Sequence, residues 1–143
     1  MFSMVVVGTD GSTRAGLAVR EAIDVAKSQG ARLHLVAAYS TSQPHWEGIQ
    51  GSARVDPVDL RQVAESVLSR AAREAADEGV EADFTAREGE PAEAIIDVAL
   101  ECKADLIVVG SKGMSGARRF SPGSVPDKVS HRAPCSVMVV RTE

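Results

Sequence analysis

Two glycine clusters hold the residue types best suited to chemistry. Gly110-Ser111-Lys112-Gly113 is followed, after nine residues, by Gly123-Ser124. Glycine lets backbone N–H groups reach an anion with no side chain between, and Lys112 adds a cation beside them. Ser124 is suited to cap a following helix, whose unpaired N–H groups and positive dipole end favour phosphate. This spacing predicts anion binding. The competing reading is an ordinary pair of turn glycines in a mobile loop.

A second candidate lies near the start, at Gly8-Thr9-Asp10-Gly11-Ser12. Asp10 is suited to hold a ribose hydroxyl, a magnesium ion or the amide nitrogens of a facing loop. Alternatively Asp10 or Ser12 caps the next helix, a role Ser12 alone would fill.

No constellation for covalent or acid–base catalysis stands out, so no catalytic residue is assigned. G-x-S-x-G is missing, and Ser124 has no evident histidine and acid partner. The chain also lacks a G-x-x-x-x-G-K-[ST] run and a G-x-G-x-x-G after its first strand. His34, His45 and His131 have no metal-ligand spacing, and Cys102 and Cys135 form no C-x-x-C, which suits buried or half-buried free thiols. Met114 to Pro122 reads as a mobile flap whose Arg118 and Arg119 could close on phosphates, and His45-Trp46-Glu47 as a lid, a partner contact or a poorly ordered loop.

The net charge of −4 argues against sequence-independent nucleic-acid binding. Charge is unevenly spread, however. Between Ser111 and Arg132 stand Lys112, Arg118, Arg119, Lys128 and Arg132 against the single acid Asp127. Concentrating cations around the glycine loop of an acidic chain suits a small anion.

These residues need a scaffold, and 143 residues suffice for one domain with a full core. The chain is 44% apolar with one Trp, one Tyr and three Phe, so that core is aliphatic. No apolar run approaches the roughly 20 residues of a membrane span, and no signal-peptide pattern opens the chain. The expectation is a soluble cytoplasmic protein with no membrane or nucleic-acid partner.

Short β-branched runs predict strands at Met4 to Gly8, Arg32 to Tyr39, Val80 to Arg87, Asp105 to Gly110 and Ser136 to Arg141. Helical periods predict helices at Thr13 to Gln29, Val58 to Glu78, from Glu90-Pro91 onward, and over Val125 to His131. Thr41 to Pro57 is a long polar connection. Regular alternation implies a parallel sheet with right-handed crossovers and helices on both faces. The first and fourth strands can then lie side by side, joining their carboxyl ends into one crevice.

The pattern resembles the universal stress proteins over essentially the whole chain. The resemblance rests on Val5-Val6-Val7-Gly8-Thr9-Asp10-Gly11-Ser12, Gly89-x-Pro91, Ala104 to Ser111, and Ala133-Pro134-Cys135-Ser136-Val137-Met138-Val139-Val140. Its most specific element is G-x2-G-x9-G-[S/T], which marks the ATP-binding branch and is met at Gly110, Gly113, Gly123 and Ser124. The resemblance implies a single-domain, Rossmann-like, five-stranded α/β sheet in the order 3-2-1-4-5. It implies adenine contacts at Gly8, Thr9, Asp10 and Val36, and phosphate and ribose contacts at Val109, Gly110, Gly113, Gly123, Ser124 and Val125. It also implies a homodimer paired through the last strand; the protein partner is not implied.

The expected activity is stress-response binding of ATP, or of AMP or cyclic AMP, as a sensor or buffer. The enzymatic alternative is slow magnesium-dependent hydrolysis or autophosphorylation on Ser115, Ser121 or Ser124, with Asp10 holding the metal. A vestigial pocket on a protein-interaction module is a third reading. One departure concerns the ligand. Pro126 follows Val125 and offers no N–H, which leaves room for fewer phosphates. Actinobacterial relatives with a similar Gly-Ser-Val-Pro segment look like cyclic AMP binders.

Overall fold

The apolar runs form the centre of the molecule. The computed structural model describes residues 1–40, 57–111 and 123–142. Its strands are β1 (Met4–Gly8), β2 (Arg32–Tyr39), β3 (Ala82–Glu88), β4 (Leu106–Gly110) and β5 (Ser136–Val140). Its helices are α1 (Thr13–Gln29), α2 (Pro57–Asp77), α3 (Pro91–Glu101) and α4 (Val125–Arg132). All strand pairs are parallel, in the order β3-β2-β1-β4-β5. This is the Rossmann-like α/β sheet expected from the pattern.

β1 reads as unbroken valine because both its faces are covered. Val5, Val6 and Val7 are fully buried. Val5 and Val7 join Leu33, Leu35 and Val108 in the layer beneath α1 and α2, while Val6 joins Val36, Ile107 and Val109 beneath α3 and α4. Truncating a residue such as Ile107 to alanine costs about 2–5 kcal/mol at such sites, because the layer relaxes only partly.

α1 turns its small stripe, Ala15, Ala18, Ala22 and Ala26, onto the sheet, and Gly30 ends it at φ +64° while donating its N–H to the Ala26 carbonyl. α3 starts with Glu90 as N-cap, its carboxylate accepting the N–H groups of Ala92 and Glu93, both at 3.2 Å. Proline fits the first turn after it.

Element boundaries match the sequence reading to within a residue or two. The largest difference is β3, which starts at Ala82 and not at Val80. The Val80 N–H donates to the Ala75 carbonyl at 2.9 Å, so that residue still serves the end of α2; β2 pairing is joined by the Glu81 carbonyl, which accepts from Leu33 N–H. Among the described residues no helix is long and apolar enough to cross a membrane.

The amino ends of the strands are tied together by Asp105. Its carboxylate accepts N–H from Ser3 at 2.9 Å and Met4 at 3.0 Å, and Asp105 N–H donates to the Met4 carbonyl. Burial pushes the Asp105 pKa upward, but these hydrogen bonds outweigh it and hold the group below the usual aspartate value.

Candidate functional site

Strand order brings the two glycine clusters to one end of the sheet. β1 and β4 are neighbours, with Val5, Val6 and Val7 in register with Leu106, Ile107 and Val108. Their carboxyl ends therefore deliver Gly8 and Gly110 side by side, at the point where the strand order reverses.

The loop after β1 is built by short-range bonds. Thr9 N–H continues the ladder to the Val36 carbonyl at 2.9 Å, while Thr9 Oγ1 accepts from Gly11 N–H at 3.1 Å. Asp10 Oδ1 accepts from Ser12 N–H at 2.9 Å, and Ser12 Oγ caps α1 by accepting from Ala15 N–H at 3.1 Å. Ser12 thus fills the capping role, and Asp10 braces the turn that leads to it. Gly11, at φ +82°, sits where L side chains are disfavoured. Thr9 and Asp10 are both buried. Val36 stands opposite Gly8, its side chain in the core layer beneath α3.

At the end of β4, Val109 is buried and Gly110 lies against Thr142, whose Cγ2 would be 3.0 Å from an added Cβ. Ser111 N–H donates to the Val140 carbonyl at 2.6 Å, and Ser111 Oγ accepts from Thr142 N–H at 3.1 Å. Sequence reasoning missed Thr142. It lies beyond the last apolar run, with no periodicity or motif to mark it.

Gly123 takes φ +80° and leads into α4. Ser124 is 2% exposed and is the N-cap: its Oγ accepts from Asp127 N–H at 3.3 Å. Asp127 reaches back, its Oδ2 accepting from Gly123 N–H at 3.0 Å. The two residues close a reciprocal cap of the kind that satisfies orphan donors at helix starts. Val125 and Pro126 are buried in the first turn.

The charge of α4 is directed elsewhere than its sequence suggests. Lys128 Nζ lies 3.5 Å from Glu90, and Arg132 is 3.9 Å from Glu93, so both cations lean on α3. Lys112, Gly113, the flap Met114 to Pro122 and the His45-Trp46-Glu47 segment lie outside the described residues.

Other candidate groups are not gathered here. Cys102 and Cys135 are half-buried free thiols, and burial pushes both pKa values up. His34 sits on β2 with Nε2 2.8 Å from Thr85 Oγ1; burial lowers its pKa. Among the described residues no group of three His, Cys, Asp or Glu side chains could enclose a metal ion. A cavity of about 120 Å³ borders the other side of the β1 loop, between α1 and α2, lined by Thr9, Ser12, Arg70 and Glu74 among others.

An open parallel sheet with glycine turns and a capped helix start at its switch point defines the Rossmann-like α/β class. The chain belongs to the universal stress protein family, whose model matches residues 1–141. It is 33% identical to the Bacillus subtilis universal stress protein YxiE, over 99% of this chain and 100% of that protein. A universal stress protein solved in complex with cAMP is 29% identical, with TM-score 0.76 and 99% of each chain covered. An Archaeoglobus fulgidus universal stress protein in complex with dAMP is 26% identical, with TM-score 0.68, covering 99% of this chain and 98% of that one.

Proposed function

We propose that this chain binds an adenine nucleotide across the ends of β1 and β4 and acts as a stress-response sensor or buffer. One observation carries the reading: Gly8-Thr9-Asp10 and Gly110 emerge from adjacent strands at the reversal of strand order. Relatives solved with cAMP and dAMP support it. On this reading Gly8, Thr9, Asp10 and Val36 meet adenine and ribose. Val109, Gly110, Lys112, Gly113, Gly123, Ser124 and Val125 meet ribose and phosphate.

ATP is the first candidate, because the complete glycine–serine spacing offers a run of backbone donors for a phosphate chain. The ATP would bring magnesium held by its own phosphates, with Asp10 supplying one carboxylate. Binding without efficient turnover is favoured, since the sequence holds no G-x-S-x-G and gives Ser124 no evident histidine and acid partner. Cyclic AMP is the second reading. Pro126 favours it by removing an N–H from the first turn of α4. The family resemblance and the apolar β5 edge favour a cytoplasmic homodimer.

Isothermal titration calorimetry with ATP, AMP and cyclic AMP tests this, using the wild-type chain and Asp10→Ala. Binding of at least one nucleotide, weakened about tenfold or more by the substitution, is the expected result. Absence of binding by all three nucleotides to the wild-type chain would overturn the reading.

A further inference from the structure

α2 meets the β1 loop at one point and α1 at another, and stands apart from them in between. At one end it presses on the loop, where Val67 Cγ2 would stand 2.8 Å from a Cβ on Gly11. At the other, Arg20 of α1 bridges to Glu74 of α2 at 3.3 Å. Between these contacts lies the cavity of about 120 Å³. We infer that it is a second binding site, for a small organic carboxylate with a ring-sized apolar body.

Gly16 keeps this space open. It lies inside α1, its N–H bonded to the Ser12 carbonyl at 3.0 Å, one turn before Arg20. A side chain there would lean toward α2, as that of Arg20 does. A Cβ on Gly16 would meet nothing within 4 Å, and its φ is not positive. Neither close packing nor backbone conformation therefore calls for glycine, which is costly inside a helix relative to alanine. What the missing side chain provides is room.

The lining decides what the room would take. Its floor is apolar, since Val19 and Ala71 are buried members of the core layer beneath these helices. An apolar cavity of roughly 150 Å³ holds benzene, so the space here is on the scale of one six-membered ring whose substituent points to the opening.

The polar groups are mostly donors. Thr9 and Ser12 accept from Gly11 N–H and Ala15 N–H, and each keeps a hydroxyl proton to give. Arg70 adds a guanidinium, which only donates, while the carboxylate of Glu74 is engaged by Arg20. An accepting anion matches that set better than a donating ammonium. The site lies across the β1 loop from the proposed nucleotide crevice and does not depend on it.

The test is an NMR titration of the isotope-labelled full chain with sodium benzoate, with benzyl alcohol and benzylamine as the neutral and cationic rings. The expected result is saturable benzoate shifts centred on the Gly16, Val19 and Ala71 amides, with a dissociation constant of about 1 mM and both other rings weaker by about tenfold. Gly16→Leu fills the space and should weaken benzoate about tenfold or more, with a melting temperature no lower than that of the wild type. Arg70→Gln, at an exposed position, should weaken benzoate about tenfold and leave benzyl alcohol unchanged. No saturation below about 50 mM benzoate, shifts centred on Gly8, Gly110 and Ser124, or full benzoate affinity in a folded Gly16→Leu chain would overturn the site. Benzylamine binding as tightly as benzoate, or an Arg70→Gln chain with undiminished benzoate affinity, would overturn the carboxylate assignment.

Discussion

Gly110 and Thr142 are packed so closely that a Cβ on residue 110 would stand 3.0 Å from Thr142 Cγ2. The end of β4 is therefore shaped from behind by the segment after β5, which also ties Ser111 through Thr142 N–H. Gly110→Ala should cost about 1–3 kcal/mol, the usual effect of overpacking. Thr142→Ser deletes the opposing methyl, and the double variant should recover most of that loss. Thermal melting of the four proteins checks this; additive effects of the two changes would show that Thr142 does not set the space at Gly110.

Gly123 has open space around a notional Cβ, but its φ of +80° disfavours any L side chain. Gly123→Val should cost about 1–2 kcal/mol from the left-handed backbone, while removing nucleotide binding by filling the phosphate space. Gly123→Ala carries similar strain with less bulk and should retain more affinity. Calorimetry with ATP and thermal melting separate the effects, and unchanged ATP affinity in a folded Gly123→Val chain would place the ligand elsewhere.

Two groups should give stability two acid steps. Burial lowers the His34 pKa from 6.5, with Asp83 and Glu101 opposing that shift and Arg87 and Arg32 adding to it. The unfolded chain then takes up that proton first, so stability is lost as pH falls through 6.5 toward the lower folded value. Asp105 is held below 3.8, and its contribution, present above that value, is lost as pH falls through the lower folded pKa. His34→Gln should flatten the upper step only, and Asp105→Asn the lower one only. Melting temperature against pH checks both; an unchanged profile in either variant would contradict its assignment.

β5 is an edge strand whose residues Val137, Met138, Val139 and Val140 are only half-buried. Such an apolar edge calls for a partner strand. On the proposed homodimer reading, Met138→Lys should shift the mass from that of a dimer to the 15.0 kDa single chain, since the lysine stem can still cover the face while its charge resists pairing. Light scattering after gel filtration reads the mass. A wild-type chain that stays monomeric, or a folded Met138→Lys dimer of undiminished strength, would refute pairing through β5.

The alternation of Val-rich runs with Ala-rich helical periods was enough to determine the elements and the class of fold, because periodicity and capping are local. Ser12 and Ser124 declare helix starts by residue type and Pro91 marks a third, and the structure uses Ser12, Ser124 and Glu90 as the caps. Glycine spacing likewise singled out Gly110, Gly123 and Ser124 before any contact was known. Charge was less legible, since a count of cations does not reveal direction: Lys128 and Arg132 lean on α3, and Asp127 turns back onto Gly123. Thr142 was invisible for the same reason, as its closeness to Gly110 arises from register between β4 and β5 and not from neighbours in the chain. Sequence by itself determined which local structures form and which residue types stand at their ends. Only tertiary structure decided which donors at those ends are already engaged, because that depends on side chains brought together by strand order and helix packing.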